Sequence, residues 1–221
     1  MTRRHRTRAS FRRRRPSVAP RACVLLVCEG KETEPNYFES LQKELRLTTV
    51  EVEIVGQGAA PKTVVKKAVE LVKKRRQAVS RGLDAFKYDH VWCVFDVEQQ
   101  GKNPSLKPAL DQAVANGVDV ALSNPCFEYW FLIHFTKCGK ALVNGKGVLR
   151  ELKKHLPGYA KSQDVFARIW PDVDHAIEQA KAMGDSHRRA RTPRTEMDPS
   201  TEVYKLVELL QTIRQTPARP A

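Results

Sequence analysis

From residue 22 onward the chain alternates short apolar runs with longer amphipathic ones. Residues 22–28, ACVLLVC, form a β-branched-rich run of strand length. Residues 34–46 place Tyr37, Phe38, Leu41 and Leu45 at helical spacing, with Pro35 in the first turn, where its missing N–H costs nothing. Residues 50–55, VEVEIV, alternate with period two and predict a strand. Residues 61–79 carry Val64, Val65, Ala68, Val69 and Val72 on one face and lysines and arginines opposite, which predicts an amphipathic helix. A strand at 91–95, a helix at 104–115 closed by Asn116-Gly117, and a strand at 118–122 follow. Asn124-Pro125 then opens an apolar helix, CFEYWFLIHF. Strands separated by helices imply βαβ crossovers and a mostly parallel sheet. Continuous apolar strands such as VLLV and VWCVF fit a sheet buried on both faces.

After residue 136 the strand pattern stops. A short helix is predicted at 148–155, and another at 171–183 with Val173, Ile177 and Ala180 inward. Residues 184–197, GDSHRRARTPRTEM, read as a polar, basic loop. Asp198-Pro199-Ser200-Thr201 opens a last helix carrying Val203, Leu206, Val207, Leu209 and Leu210. The expected organisation is an Arg-rich disordered arm (1–21), an α/β core (22–136), a helical C-terminal extension packed on that core (137–214) and a frayed tail (215–221).

Charge changes the picture at one end. Of the net +14, residues 1–21 contribute +9, from nine Arg and no acid, leaving +5 for the other 200 residues. Such an arm binds nucleic acid through counterion release, or it is a solvated stretch with no partner. The Arg3-Arg4 pair lacks a signal core, because the apolar run at 23–28 leads straight into Glu29. No run approaches the ~18 apolar residues of a membrane span, so a soluble, cytoplasmic protein with no membrane partner is expected. Five cysteines without a CxxC pair and six histidines without HxxxH spacing indicate neither a zinc site nor a disulfide framework.

The candidate chemistry lies in carboxylates at strand ends. In VWCVFDVE (91–98), Asp96 and Glu98 project to the same side, just where the strand stops. Glu29 directly follows the first strand. Ligands of open parallel sheets bind beyond the carboxyl ends of the strands, so if these two strands are neighbours the three acids converge. Unpaired, they would raise one another's pKa. A hard divalent cation, Mg²⁺ or Mn²⁺, removes the conflict and in turn receives a phosphate. The plainer alternative makes each acid a helix cap or loop acid.

Glu128, among Phe127, Tyr129 and Trp130, is either a further metal ligand or the buried partner of a cation. Gly30 would let a phosphate approach the backbone. Thr33 would help bind that phosphate at a helix start, or serve as a plain N-cap. Lys31, Lys161, Arg188, Arg189, Arg191 and Arg194 are candidate contacts to a polyanion, against ordinary surface charge.

A strand ending in Glu29-Gly30, followed later by one ending in Asp96-x-Glu98, resembles the Toprim domain of topoisomerases, primases and overcoming-lysogeny-type nucleases. Three longer stretches are similar to RloB-like proteins of bacterial phage-defence and abortive-infection loci. They are CEGKETEPNYF (28–38), SNPCFEYWFLIHF (123–135) and DPSTEVYKLV (198–207), within a resemblance spanning roughly residues 22–212.

The resemblance implies a Toprim-like fold and an Mg²⁺-dependent nuclease acting on DNA or RNA with a partner ATPase. Glu29 matches the Toprim glutamate, and Asp96 and Glu98 match the paired acids, with Glu98 standing where Asp is commoner. Asp96 and Glu98 would then ligate the metal, while Glu29 ligates it or acts as acid/base. The competing expectation is a non-catalytic module that binds metal and nucleic acid. A Rossmann-type nucleotide binder fits poorly, since CEGKETEP lacks GxGxxG.

Overall fold

The computed structural model describes residues 22–55, 59–83, 86–97, 104–137 and 144–216. In chain order these form β1 (Val24–Cys28), α1 (Thr33–Glu44), β2 (Val50–Ile54), α2 (Pro61–Ser80), β3 (His90–Asp96), α3 (Leu106–Ala115) and β4 (Asp119–Asn124). They continue as α4 (Glu128–Leu132), α5 (Gly145–His155), α6 (Phe166–Ile169), α7 (Val173–Arg189), β5 (Ser200–Thr201) and α8 (Val203–Gln215). The strands make one sheet in the order β2-β1-β3-β4-β5. The first four run parallel, and β5 pairs antiparallel with β4.

The expected α/β architecture, a mostly parallel sheet flanked by helices with a helical C-terminal extension, is therefore what the chain forms. Its cause is visible in β1, which is buried along its whole length. Val24, Leu26 and Cys28 pack on one side with α1 and the C-terminal helices, while Leu25 and Val27 pack on the other with α2 and α3. The edge strand β2 explains its own period of two. Glu51 and Glu53 both turn toward α2, where they pair with Arg75 and Lys67. Val50 and Val52 turn to the opposite core. Among the described residues, no helix is long and apolar enough to cross a membrane.

Three sequence expectations need correction. The basic loop predicted from residue 184 is helical as far as Arg189. One mid-helix glycine costs only about 1 kcal/mol. That is too little to end a helix anchored by buried Val173, Ala176, Ile177 and Ala180, with His187, Arg188 and Arg189 suitably placed at its C-terminus.

Ser200 and Thr201 do not open the last helix. They satisfy the otherwise open edge of β4, with Ser123 Oγ 3.0 Å from Thr201 Oγ1 and the Glu202 N–H donating to the Leu122 carbonyl at 2.8 Å. Finally, the apolar helix after Asn124-Pro125 is confined to the five residues of α4.

Candidate functional site

β1 and β3 are adjacent and parallel, with Cys28 opposite Val94. The chain leaves β1 still attached to its neighbour, as the Glu29 N–H donates to the Val94 carbonyl at 3.1 Å. Glu29 and Asp96 therefore stand at the same pole of the sheet, on neighbouring strands. The start of α1 adds Thr33 and Glu34, the start of α2 adds Pro61, the turn after β4 adds Phe127, and the start of α4 adds Glu128. Lys161 arrives from the segment between α5 and α6. Together they line a cleft of about 460 Å³ whose described walls carry five carboxylates (Glu29, Glu32, Glu34, Asp96, Glu128) against two lysines (Lys31, Lys161).

Asp96 is the floor of this cleft. Its Oδ1 is sealed from solvent and has no hydrogen-bond partner. Burial first, then the charges of Glu34, Glu128 and Glu29, push its carboxyl well above the usual range, opposed only in part by the Phe127 backbone N–H. That N–H is held in place by aromatic packing, with the Phe127 ring 5.5 Å from Phe131, 5.8 Å from Tyr37 and 5.9 Å from Phe38. The aromatic residues of CFEYWF thus act as scaffold for the site.

Glu34 is the member that sequence reasoning missed. Its carboxyl is raised by burial and by Glu128, against the backbone N–H groups of Glu34 and Gly30 and the charge of Lys161. A Cβ at Gly30 would meet the flexible end of the Glu34 side chain, so this glycine leaves space beside that carboxylate on the cleft wall.

Thr33 is the first residue of α1 and caps nothing. Its hydroxyl lies 3.5 Å from both Glu128 Oε1 and the Lys161 carbonyl and donates its one proton to one or the other. Glu128 is buried, and Lys161 Nζ lies 3.5 Å from its Oε1, which favours the reading of Glu128 as a buried partner of a cation. Burial works against the charge of Lys161, but Glu128, Asp96 and Glu34 together raise its pKa. Lys31 is exposed on the cleft wall. Glu98 and the Arg-rich arm lie outside the described residues.

The four arginines do not gather at this cleft. Arg188 pairs with Asp185 one turn earlier in α7. Arg194 binds the Glu202 carboxylate and donates to the Val120 carbonyl at 2.8 Å. Both line a separate hollow beside β4. Arg189 and Arg191 are exposed elsewhere, and neither lines the cleft.

Among the described residues, no three His, Cys, Asp or Glu side chains are grouped as a ready-made metal cage. The arrangement is an acid-lined pocket with one sealed carboxyl oxygen at its base and lysines at its mouth, suited to a hard cation and an anionic ligand together. No curated protein and no solved structure matches the chain. Its residues 24–210 match the family of RloB-like proteins, and the chain belongs to that family.

Proposed function

We propose that the cleft is the active site of a divalent-metal-dependent nuclease, hydrolysing phosphodiester bonds of DNA or RNA in bacterial phage defence. The carrying observation is the placement of Glu29 and Asp96 on adjacent parallel strands, over one cleft, with Asp96 Oδ1 buried and unpartnered. A site at the carboxyl ends of β1 and β3 supports a Toprim-like reading of the α/β fold. Phage defence and a partner ATPase rest on the family resemblance alone, and a cytoplasmic location on the sequence expectation.

The residues fit Mg²⁺ or Mn²⁺. Mg²⁺ commonly takes only one or two protein carboxylates and completes its shell with water and substrate phosphate, so a three-acid cage is not required. Glu128 is paired with Lys161, and backbone N–H groups support Glu34. By the family resemblance, Asp96 and Glu98 would ligate the ion, and Glu29 would either ligate it or act as the acid/base group. When bound, the ion supplies charge stabilisation at the phosphoryl oxygen and a more acidic water. Lys31 and Lys161 hold the phosphate, and Glu29, where it does not ligate the ion, moves a proton at the scissile group.

The test is cleavage of single- and double-stranded DNA and RNA by the full chain with Mg²⁺, with Mn²⁺ and with EDTA. Metal-dependent cutting that disappears in Glu29→Gln and Asp96→Asn, with binding retained, is the expected result. Salt-sensitive binding without cutting of any substrate overturns the enzyme reading in favour of a binding module.

A further inference from the structure

Helix α2 begins at the acidic cleft, since Ala59, Ala60 and Pro61 line it. Over its 20 residues it carries seven cations (Lys62, Lys66, Lys67, Lys73, Lys74, Arg75 and Arg76) and one acid, Glu70. Two of the cations are accounted for by the fold. On the flank over β2, Lys67 lies 3.0 Å from Glu53, and Arg75 binds Glu51 and the Tyr88 hydroxyl.

Four others, Lys62, Lys66, Lys73 and Arg76, lie on a different flank, are exposed, and pair with no acid among the described residues. At 100° per residue they fall within an arc of about 80°, and from first to last they span about 21 Å along the axis. Two of them, Lys73 and Arg76, line a groove of about 450 Å³ between α2 and the end of α3, together with Val69, Val72 and Val118.

Glu70, four residues after Lys66 and three before Lys73, is the row's one acidic neighbour on the helix, and it leaves Lys62 and Arg76 unaccounted for. Lys62 stands in a first turn that holds no acid, at the positive end of the dipole. Lys62 and Lys66 are like charges one turn apart. The row does not serve the sheet, which α2 clamps with the apolar residues Val64, Val65 and Ala68.

We propose that this row is a polynucleotide track. The phosphates of one strand lie along Lys62, Lys66, Lys73 and Arg76, and the row delivers that strand into the cleft at Pro61. The length suits it, because four cations spread over about 21 Å can meet a short run of successive phosphates on one strand. Continuity suits it too. In the cleft Lys31 and Lys161 are outnumbered by five carboxylates, so further attraction for a polyanion comes from beside it, and the row ends at its edge. The inference deepens the nuclease reading and rests on it for the direction of travel, but binding to the row is measurable without any cutting.

The experiment uses the full chain in EDTA and a labelled 30-nucleotide single strand, as DNA and as RNA, titrated by fluorescence anisotropy from 50 to 200 mM KCl. Replacing Lys62, Lys66, Lys73 and Arg76 together by Ala should flatten the slope of log Kobs against log[KCl] by about 3, at roughly 0.7 per phosphate contact. Across that salt range the unmodified chain then loses about 50-fold more affinity than the variant. A charge-matched control, with Lys43, Lys146, Lys153 and Arg214 replaced by Ala, should leave the slope within about 0.5 of the unmodified chain.

An unchanged slope in the α2 variant, or an equal fall in the control, overturns the track. So does loss of binding to poly-glutamate alone, which would make the row a site for acidic protein. Failure of the nuclease reading appears separately, as intact binding and slope with no cleavage in Mg²⁺ or Mn²⁺.

Discussion

A carboxyl oxygen sealed from water with no donor beside it is costly to ionise, and Asp96 Oδ1 is such an atom. Leaving a buried polar group unsatisfied costs about 1–3 kcal/mol, and the neighbouring Glu34, Glu128 and Glu29 add repulsion. Without a cation, then, Asp96 weakens the protein it belongs to. Asp96→Asn removes the charge and is expected to raise Tm in EDTA at pH 7.5 by about 2–12 °C, at 2–4 °C per kcal/mol for a chain of this size. Added Mg²⁺ should raise Tm of the unmodified chain and leave the variant where it was. A variant that melts lower in EDTA, or that gains as much from Mg²⁺, would mean that the oxygen has a structural partner instead.

Asp96 was legible from the sequence because an apolar strand ended on it. Glu34 was not, since an acid in the first turn of a helix reads as a complement to the helix dipole. Only the folding of that turn over Gly30 brings it against Asp96. The signal available in advance was the run Glu29-Gly30 to Glu34-Pro35, with a glycine four residues before a first-turn acid.

The parallel order of β1 to β4 follows from βαβ alternation, which strand periodicity reports well. A two-residue strand is too short to show periodicity, so β5 could come only from three dimensions. Its support is equally non-local. Glu202 accepts from the Leu122 N–H at 3.2 Å and from Arg194, which also donates to the Val120 carbonyl. Burial would raise the Glu202 carboxyl, yet Arg194 and Lys205 outweigh it and hold it below the usual range.

A carboxyl depressed in the folded state adds stability that is complete above the unfolded carboxylate range and is lost as pH falls through the folded value. Arg194→Ala is therefore expected to cost about 1–3 kcal/mol at neutral pH in urea unfolding. The gap from the unmodified chain should narrow as pH falls below the usual carboxylate range. The slope of nucleic-acid binding against salt should stay put, because this arginine belongs to the edge of β4. A variant as stable as its parent that binds with a shallower salt slope would return Arg194 to the polyanion surface that its sequence neighbours suggest.

At the scale of the whole molecule the sheet has two dissimilar coats. On one face Leu25, Val27, Cys93 and Phe95 are covered by α2 and α3, which lie in the first two thirds of the chain. On the other, Leu26, Trp92, Val94 and Ala121 share a single cluster with Ile169, Ala176, Val203, Leu206, Val207 and Leu210 from α6, α7 and α8. The C-terminal segment therefore completes the core. It also supplies Lys161 to the cleft. Uncovering a large apolar side chain costs about 1.5–3 kcal/mol, and a domain holds only about 5–15 kcal/mol in total, so losing several of these contacts exceeds what the remainder can hold. A chain ending at residue 136 is expected to lack a cooperative thermal transition and to bind a hydrophobic dye. The full chain should show coincident near- and far-ultraviolet circular dichroism transitions. A sharp, reversible melt in the truncated chain would establish the α/β part as independently stable. It would then move Lys161 from a fixed wall of the cleft to a group delivered by a separate domain.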